Sequence, residues 1–68
     1  MTIGQRAAQA IKNRAKQKGI TFVKECDLLG TNRQTAKNWK YGRTNPGSWI
    51  IAEMLRQGYD IEYILLGE

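Results

Sequence analysis

The chain has no histidine, one cysteine (Cys26) and one proline (Pro46) among its 68 residues. One thiol cannot close an intramolecular disulfide, so no oxidising compartment is implied. A metal site needs several His or Cys ligands, so no metal or other cofactor is expected. The start, "MTIGQRAAQAIKNRAKQ", lacks the uninterrupted apolar run of a signal peptide. No stretch approaches the ~20 apolar residues of a membrane span. The expectation is a soluble cytoplasmic protein. Acids are scarce where bases are dense. Residues 1–45 hold ten Lys or Arg against Glu25 and Asp27 alone, a balance of +8. Residues 46–68 hold Arg56 against Glu53, Asp60, Glu62 and Glu68, a balance of −3. A polyanionic partner for the first part is one reading of that asymmetry, and plain solubility is the other.

An enzyme is not expected. The chain has no Gly-rich phosphate loop, and Glu53, Asp60 and Glu62 sit where helix-end charges belong. Cys26 falls in a helical apolar row, the place of a small core residue. The length allows one domain, 1–68. A chain this size buries about 60% of its unfolded surface, too little for a core and a large cleft together. Its 41% hydrophobic content still supports a small core.

The apolar spacing predicts five short helices and no strand. Ile3, Ala7, Ala10, Ile11 and Ala15 form one stripe over residues 3–18, capped by Thr2 and stopped by Gly19. Arg6, Lys12, Lys16 and Lys18 lie on the other face. Thr21 caps a second helix of about eight residues, with Val23, Cys26 and Leu29 expected inward and Phe22 near its start. Gly30 ends it. Asn32 caps a third helix, about 33–41, and Gly42 stops that one. "RTNPGS" is a loop. Ser48 is expected to cap a fourth helix over 49–57, rich in Trp49, Ile50, Ile51, Met54 and Leu55. Asp60 caps a last helix through Leu66, with Glu62 suiting its positive end.

The third helix carries the chemistry. At about 100° per residue, Arg33, Lys37, Tyr41, Gln34 and Asn38 share one arc, and Thr35, Ala36 and Trp39 share the other. Trp39 reads as core. The polar arc holds no acid. Arg matches the O6 and N7 acceptors of guanine, and Asn or Gln matches N6 and N7 of adenine. Lys37 adds charge for a phosphate or a guanine. A solvated polar face is the plainer alternative. The second helix, a tight turn with Gly and this third helix form a helix-turn-helix at about 21–41.

The stretch "ITFVKECDLLGTNRQTAKNWKYGRTNP" resembles the helix-turn-helix of the lambda-repressor/Cro family of phage and bacterial regulators. "GYDIEYILLGE" resembles the last helix of phage repressor DNA-binding domains. The likeness covers nearly the whole chain. It implies an all-α five-helix bundle that binds double-stranded operator DNA in the bacterial nucleoid, usually as a homodimer. Position by position, it makes Arg33, Gln34, Lys37 and Asn38 base-reading residues. It assigns Thr21, Asn32, Lys40, Arg43, Thr44 and Asn45 to the DNA backbone. Thr21 and Asn32 are also plain helix caps, and Thr44 and Asn45 are also turn formers.

Three departures stand out. Phe22 occupies a position where the family usually has Gln. Glu25 stands where a core Leu is usual, which implies a rotated or shifted scaffold helix with Val23 or Phe22 filling in. The family's Arg–Glu pair between first and third helices is replaced by Ala15 and Lys40, which frees Lys40 for a phosphate. Ile61, Ile64, Leu65 and Leu66 either form a dimer seam or close the monomer core. The competing function is a protein-binding module, an antitoxin or adaptor, using "YILL" as its contact. No small-molecule ligand is expected on either reading.

Overall fold

Thr2 Oγ1 accepts a hydrogen bond from the Gln5 backbone amide, and the Thr2 amide donates to Gln5 Oε1. This reciprocal box starts α1 (Ile3–Lys18) in the computed structural model, which describes all 68 residues. Thr21, Asn32 and Asp60 side chains cap α2 (Phe22–Leu29), α3 (Arg33–Lys40) and α5 (Ile61–Leu66) in the same way, each accepting from a backbone amide three residues on. The fourth helix, α4 (Ser48–Arg56), differs from expectation. Ser48 is its first residue rather than its cap, and Gly47 at the cap position offers no side-chain acceptor. There is no strand, and the result is an all-helical bundle.

α1 is the central element and packs against α2, α3 and α5. Its buried stripe is nearly all alanine (Ala7, Ala8, Ala15) around Ile11. Small side chains let the other helices come close, and the bulk comes from them: Leu29, Trp39, Ile50, Met54, Tyr59 and Ile64. Burial of each large apolar side chain contributes about 1.5–3 kcal/mol. Gly4 lies where α1 meets the α3–α4 loop. A Cβ there would stand 2.5 Å from the Thr44 carbonyl oxygen and 3.1 Å from Trp39 Cα, so only glycine fits. Gly30, at φ +80°, turns the chain from α2 to α3 in three residues and carries the Trp49 ring against it.

The scaffold helix α2 is not rotated as the departures implied. Val23 is 44% exposed, while Glu25 is fully buried at the inward position. Glu25 is accommodated by partners. Its Oε1 takes the Lys18 ammonium at 2.8 Å, and its Oε2 accepts the Tyr59 hydroxyl proton. Three elements therefore meet on one carboxylate: the end of α1, α2 and the turn before α5. Every buried polar side-chain atom in the chain has a partner.

One more expectation changes. Arg6 is not a solvated charge of α1. Its Nε donates to the Ile64 carbonyl at 2.9 Å and its Nη2 to the Leu65 carbonyl at 3.2 Å, closing the C-terminus of α5. Arg14 does the same past the end of α4, donating to the Gln57 and Gly58 carbonyls at 2.7 and 3.0 Å. Its guanidinium lies 4.2 Å from the Tyr59 ring centroid. These cations satisfy carbonyls that a helix end leaves without partners. Of the four residues considered for a dimer seam, Ile64 is fully buried and Ile61 packs on the core, so both close the monomer. Leu65 and Leu66 remain 40% and 66% exposed.

Candidate nucleic-acid interface

α3 is fixed from one side only. Ala36 and Trp39 are buried in the core, and Asn32 Oδ1 holds the Thr35 amide at 2.9 Å. That grip turns Arg33, Gln34, Lys37, Lys40 and Tyr41 into solvent, with Asn38 half-buried at the margin. No hydrogen bond or ion pair within the chain engages the side chains of Arg33, Gln34, Lys37 or Lys40; the chain's two salt bridges lie elsewhere. The first turn of α3 contains no acid. Arg33, Gln34 and Lys37 thus stand as exposed donors with no hydrogen-bond partner in the fold.

The face has two edges. Arg33, Lys37 and Lys40 border a half-open groove of about 430 Å³ between α3 and α1. Gln5, Gln9 and Lys12 border it from α1, Met1 flanks it at the N-terminus, and the more buried Ala8, Phe22 and Ala36 form its floor. Gln34, Asn38 and Tyr41 stand on the other edge, outside the groove. There Arg43 Nη1 lies 3.5 Å from Asn38 Oδ1, and the Arg43 guanidinium stands 5.3 Å from the Tyr41 ring centroid. Lys40 Nζ approaches the same ring at 5.8 Å. The base-reading residues inferred from sequence share one helix, but Arg33 and Lys37 belong to the groove edge and Gln34 and Asn38 to the loop edge.

The residues assigned to the DNA backbone are more dispersed. Thr21 and Asn32 are exposed caps. Each uses its oxygen as an acceptor, and each keeps a donor, the hydroxyl or the amide NH₂, for another partner. Arg43 and Thr44 are exposed on the α3–α4 loop. Asn45 serves the fold, because its Oδ1 accepts from the Gly4 amide at 2.8 Å and ties that loop to the start of α1. Its NH₂ remains as a donor. Lys40 is exposed and Ala15 buried, so the pair of positions carries no ion pair across α1 and α3.

Two groups escaped sequence reasoning. The α1 side of the groove did: Lys12 reads only as part of the polar face of the first helix, and composition singles out neither Gln5 nor Gln9. Their spacing of four and three was the available signal. The Glu25 cluster did too, although a lone Glu in the row of Cys26 and Leu29 marked it. Cys26 is no reactive thiol: burial first, then the charges of Asp27 and Glu25, push it up to about 11. Glu53 is held below the usual carboxylate range, chiefly by the hydrogen bond from Gln57 and then by Arg56. No three His, Cys, Asp or Glu side chains gather as a metal site would require. No helix is long and apolar enough to cross a membrane.

Comparison of the chain with family models, with curated proteins and with solved structures gives no match.

Proposed function

We propose that the chain is a sequence-specific double-stranded-DNA-binding transcriptional regulator of the phage repressor or Cro type. It acts in the bacterial cytoplasm by occupying an operator. On this reading α2, the Gly30 turn and α3 are a lambda-repressor-like helix-turn-helix, and α3 lies in the major groove. The observation that carries the proposal is the outward face of α3: exposed Arg33, Gln34 and Lys37, unpaired within the fold, on a helix anchored by Ala36 and Trp39. Gln34 and Asn38 present the donor–acceptor pair that adenine matches, and Arg33 and Lys37 the donors that guanine matches. On this reading Thr21, Asn32, Lys40, Arg43, Thr44 and Asn45 supply donors to the phosphates.

The molecule's longest extent is 27 Å, less than the roughly 34 Å of one helical turn of DNA. One copy therefore covers one half-site. Two copies joined through Leu65 and Leu66, the α5 leucines that stay exposed, would read a near-palindrome. The same leucines support the second reading, a protein-binding module.

Selection of binding sites from random duplex DNA tests the proposal, followed by salt titration of the selected sequence. The expected result is a defined consensus whose affinity falls steeply with salt, because phosphate contacts release counterions. A pool that never converges, with no salt-dependent affinity, would sink the DNA reading and favour the protein-binding module.

A further inference from the structure

We infer that α1 is part of the DNA interface: one sugar–phosphate strand lies in the groove between α1 and α3, gripped from the α1 side by Lys12. The inference rests on the DNA reading above and extends it to an element that helix-turn-helix logic treats as scaffold.

The groove is bordered by two rows of donors. Arg33, Lys37 and Lys40 follow each other at spacings of four and three on α3. Gln5, Gln9 and Lys12 follow the same spacing on α1, so each set forms one row along its helix. No acid borders the groove. The α1 row runs about 10 Å from Gln5 to Lys12, at about 1.5 Å per residue. That is too long for a single anion and suits successive phosphates. The floor is a different chemistry. Ala8 and Ala36 are small and Phe22 is half-buried, so the bottom is smooth and apolar. A deoxyribose edge is apolar between charged phosphates, and a strand running along the groove meets donors on both sides and carbon beneath. Phe22 then becomes the surface against which sugars pack.

The α1 donors keep capacity for it: Gln9 Nε2 donates to Asn13 Oδ1 at 3.0 Å and retains its second N–H. Lys12 makes no contact with an acid; the ion pairs of the chain are Lys18–Glu25 and Arg56–Glu53. Gln5 uses Oε1 on Thr2 and keeps its NH₂. An acidic protein segment with an apolar anchor would meet the same chemistry. DNA is favoured because Arg33 and Lys37 border both the groove and the exposed face of α3, so a duplex on α3 brings its strand to the groove without a second partner.

The test compares Lys12→Ala, Lys12→Glu, Arg33→Ala and Arg56→Ala on the selected duplex and a scrambled one across a salt series. Arg56→Ala removes the same charge from α4, away from the groove. Lys12→Ala is expected to weaken both duplexes equally and to reduce the magnitude of the salt slope by about 1. Lys12→Glu is expected to weaken both by about tenfold or more. Arg56→Ala should leave the slope unchanged, and all four should unfold at the wild-type midpoint.

If Lys12→Ala and Lys12→Glu bind as wild type while Arg33→Ala is weakened, the strand does not lie in the groove, yet the DNA reading stands. If wild type shows no salt-dependent binding to any duplex, both fall. An acidic, leucine-containing peptide provides the last arm. If it shifts the amide NMR signals of Ala8, Phe22 and Ala36 and DNA does not, the groove is a protein site and the inference is overturned.

Discussion

Arg6 and Arg14 on α1 and Arg33 and Lys37 on α3 are close in sequence and opposite in use. Each arginine of α1 donates to two or more backbone carbonyls and holds down the end of another helix. The α3 cations donate to nothing in the fold, and neither takes part in a salt bridge. Lys18 belongs with the first group, paired to a carboxylate inside the core. The contrast separates charge that builds the molecule from charge that the fold leaves unpaired. A count of basic residues blurs the two: the excess over residues 1–45 includes three cations that the fold consumes.

The largest expected effect lies on the structural side. Glu25→Ala removes a fully buried carboxylate and leaves Tyr59 without an acceptor and a cavity behind. It should destabilise the domain by about 2–4 kcal/mol, through the unmet Tyr59 hydroxyl and the cavity, with Lys18 left free to reach solvent, read by urea or thermal unfolding. A loss below about 1 kcal/mol would mean the cluster does not hold the three elements together.

Next come the arginines. Arg14→Ala should cost about 1.5–3 kcal/mol through the carbonyl bonds it loses, discounted toward the low end because the group is partly exposed. Arg33→Ala should change stability by no more than about 0.5 kcal/mol. Equal losses for the two would erase the contrast between building and reserved charge.

A further stability effect is alkaline. Burial first, then the bond to Glu25, raises the Tyr59 phenol above its ordinary 10.0. The unfolded chain therefore releases that proton at lower pH than the folded one. The contribution is intact below about pH 10 and declines as pH rises beyond it. Wild type should lose stability between about pH 9 and 11 more steeply than Tyr59→Phe; parallel losses would remove Tyr59 as the cause.

The helices were readable because local chemistry specifies them. Thr2, Thr21, Asn32 and Asp60 are caps wherever they stand before an apolar period, and Gly19, Gly30 and Gly67 end helices in the left-handed conformation. Ser48 misled because its neighbour Gly47 takes the cap position without a side chain. The polar face of α3 was readable for the same local reason, one helix and one wheel. The rest depended on distance. Glu25 meets Tyr59 across 34 positions, Arg14 meets Gln57 across 43 and Arg6 meets Ile64 across 58. A wheel sorts residues within a helix and says nothing of such partners. For the same reason Ile64 could be either seam or core until α1 was placed beneath it. The division of α3's donors between groove and loop edges likewise needed the position of α1.

The central claim is that the donors α3 leaves unpaired choose a DNA sequence. The direct measurement is the ratio of dissociation constants for the selected and scrambled duplexes, in wild type and in Gln34→Ala. A bidentate base contact is worth about 1–3 kcal/mol. The ratio should therefore shrink roughly fivefold to a hundredfold, with affinity for the scrambled duplex and the unfolding midpoint both retained. If the two duplexes weaken together, or neither does, α3 does not read bases.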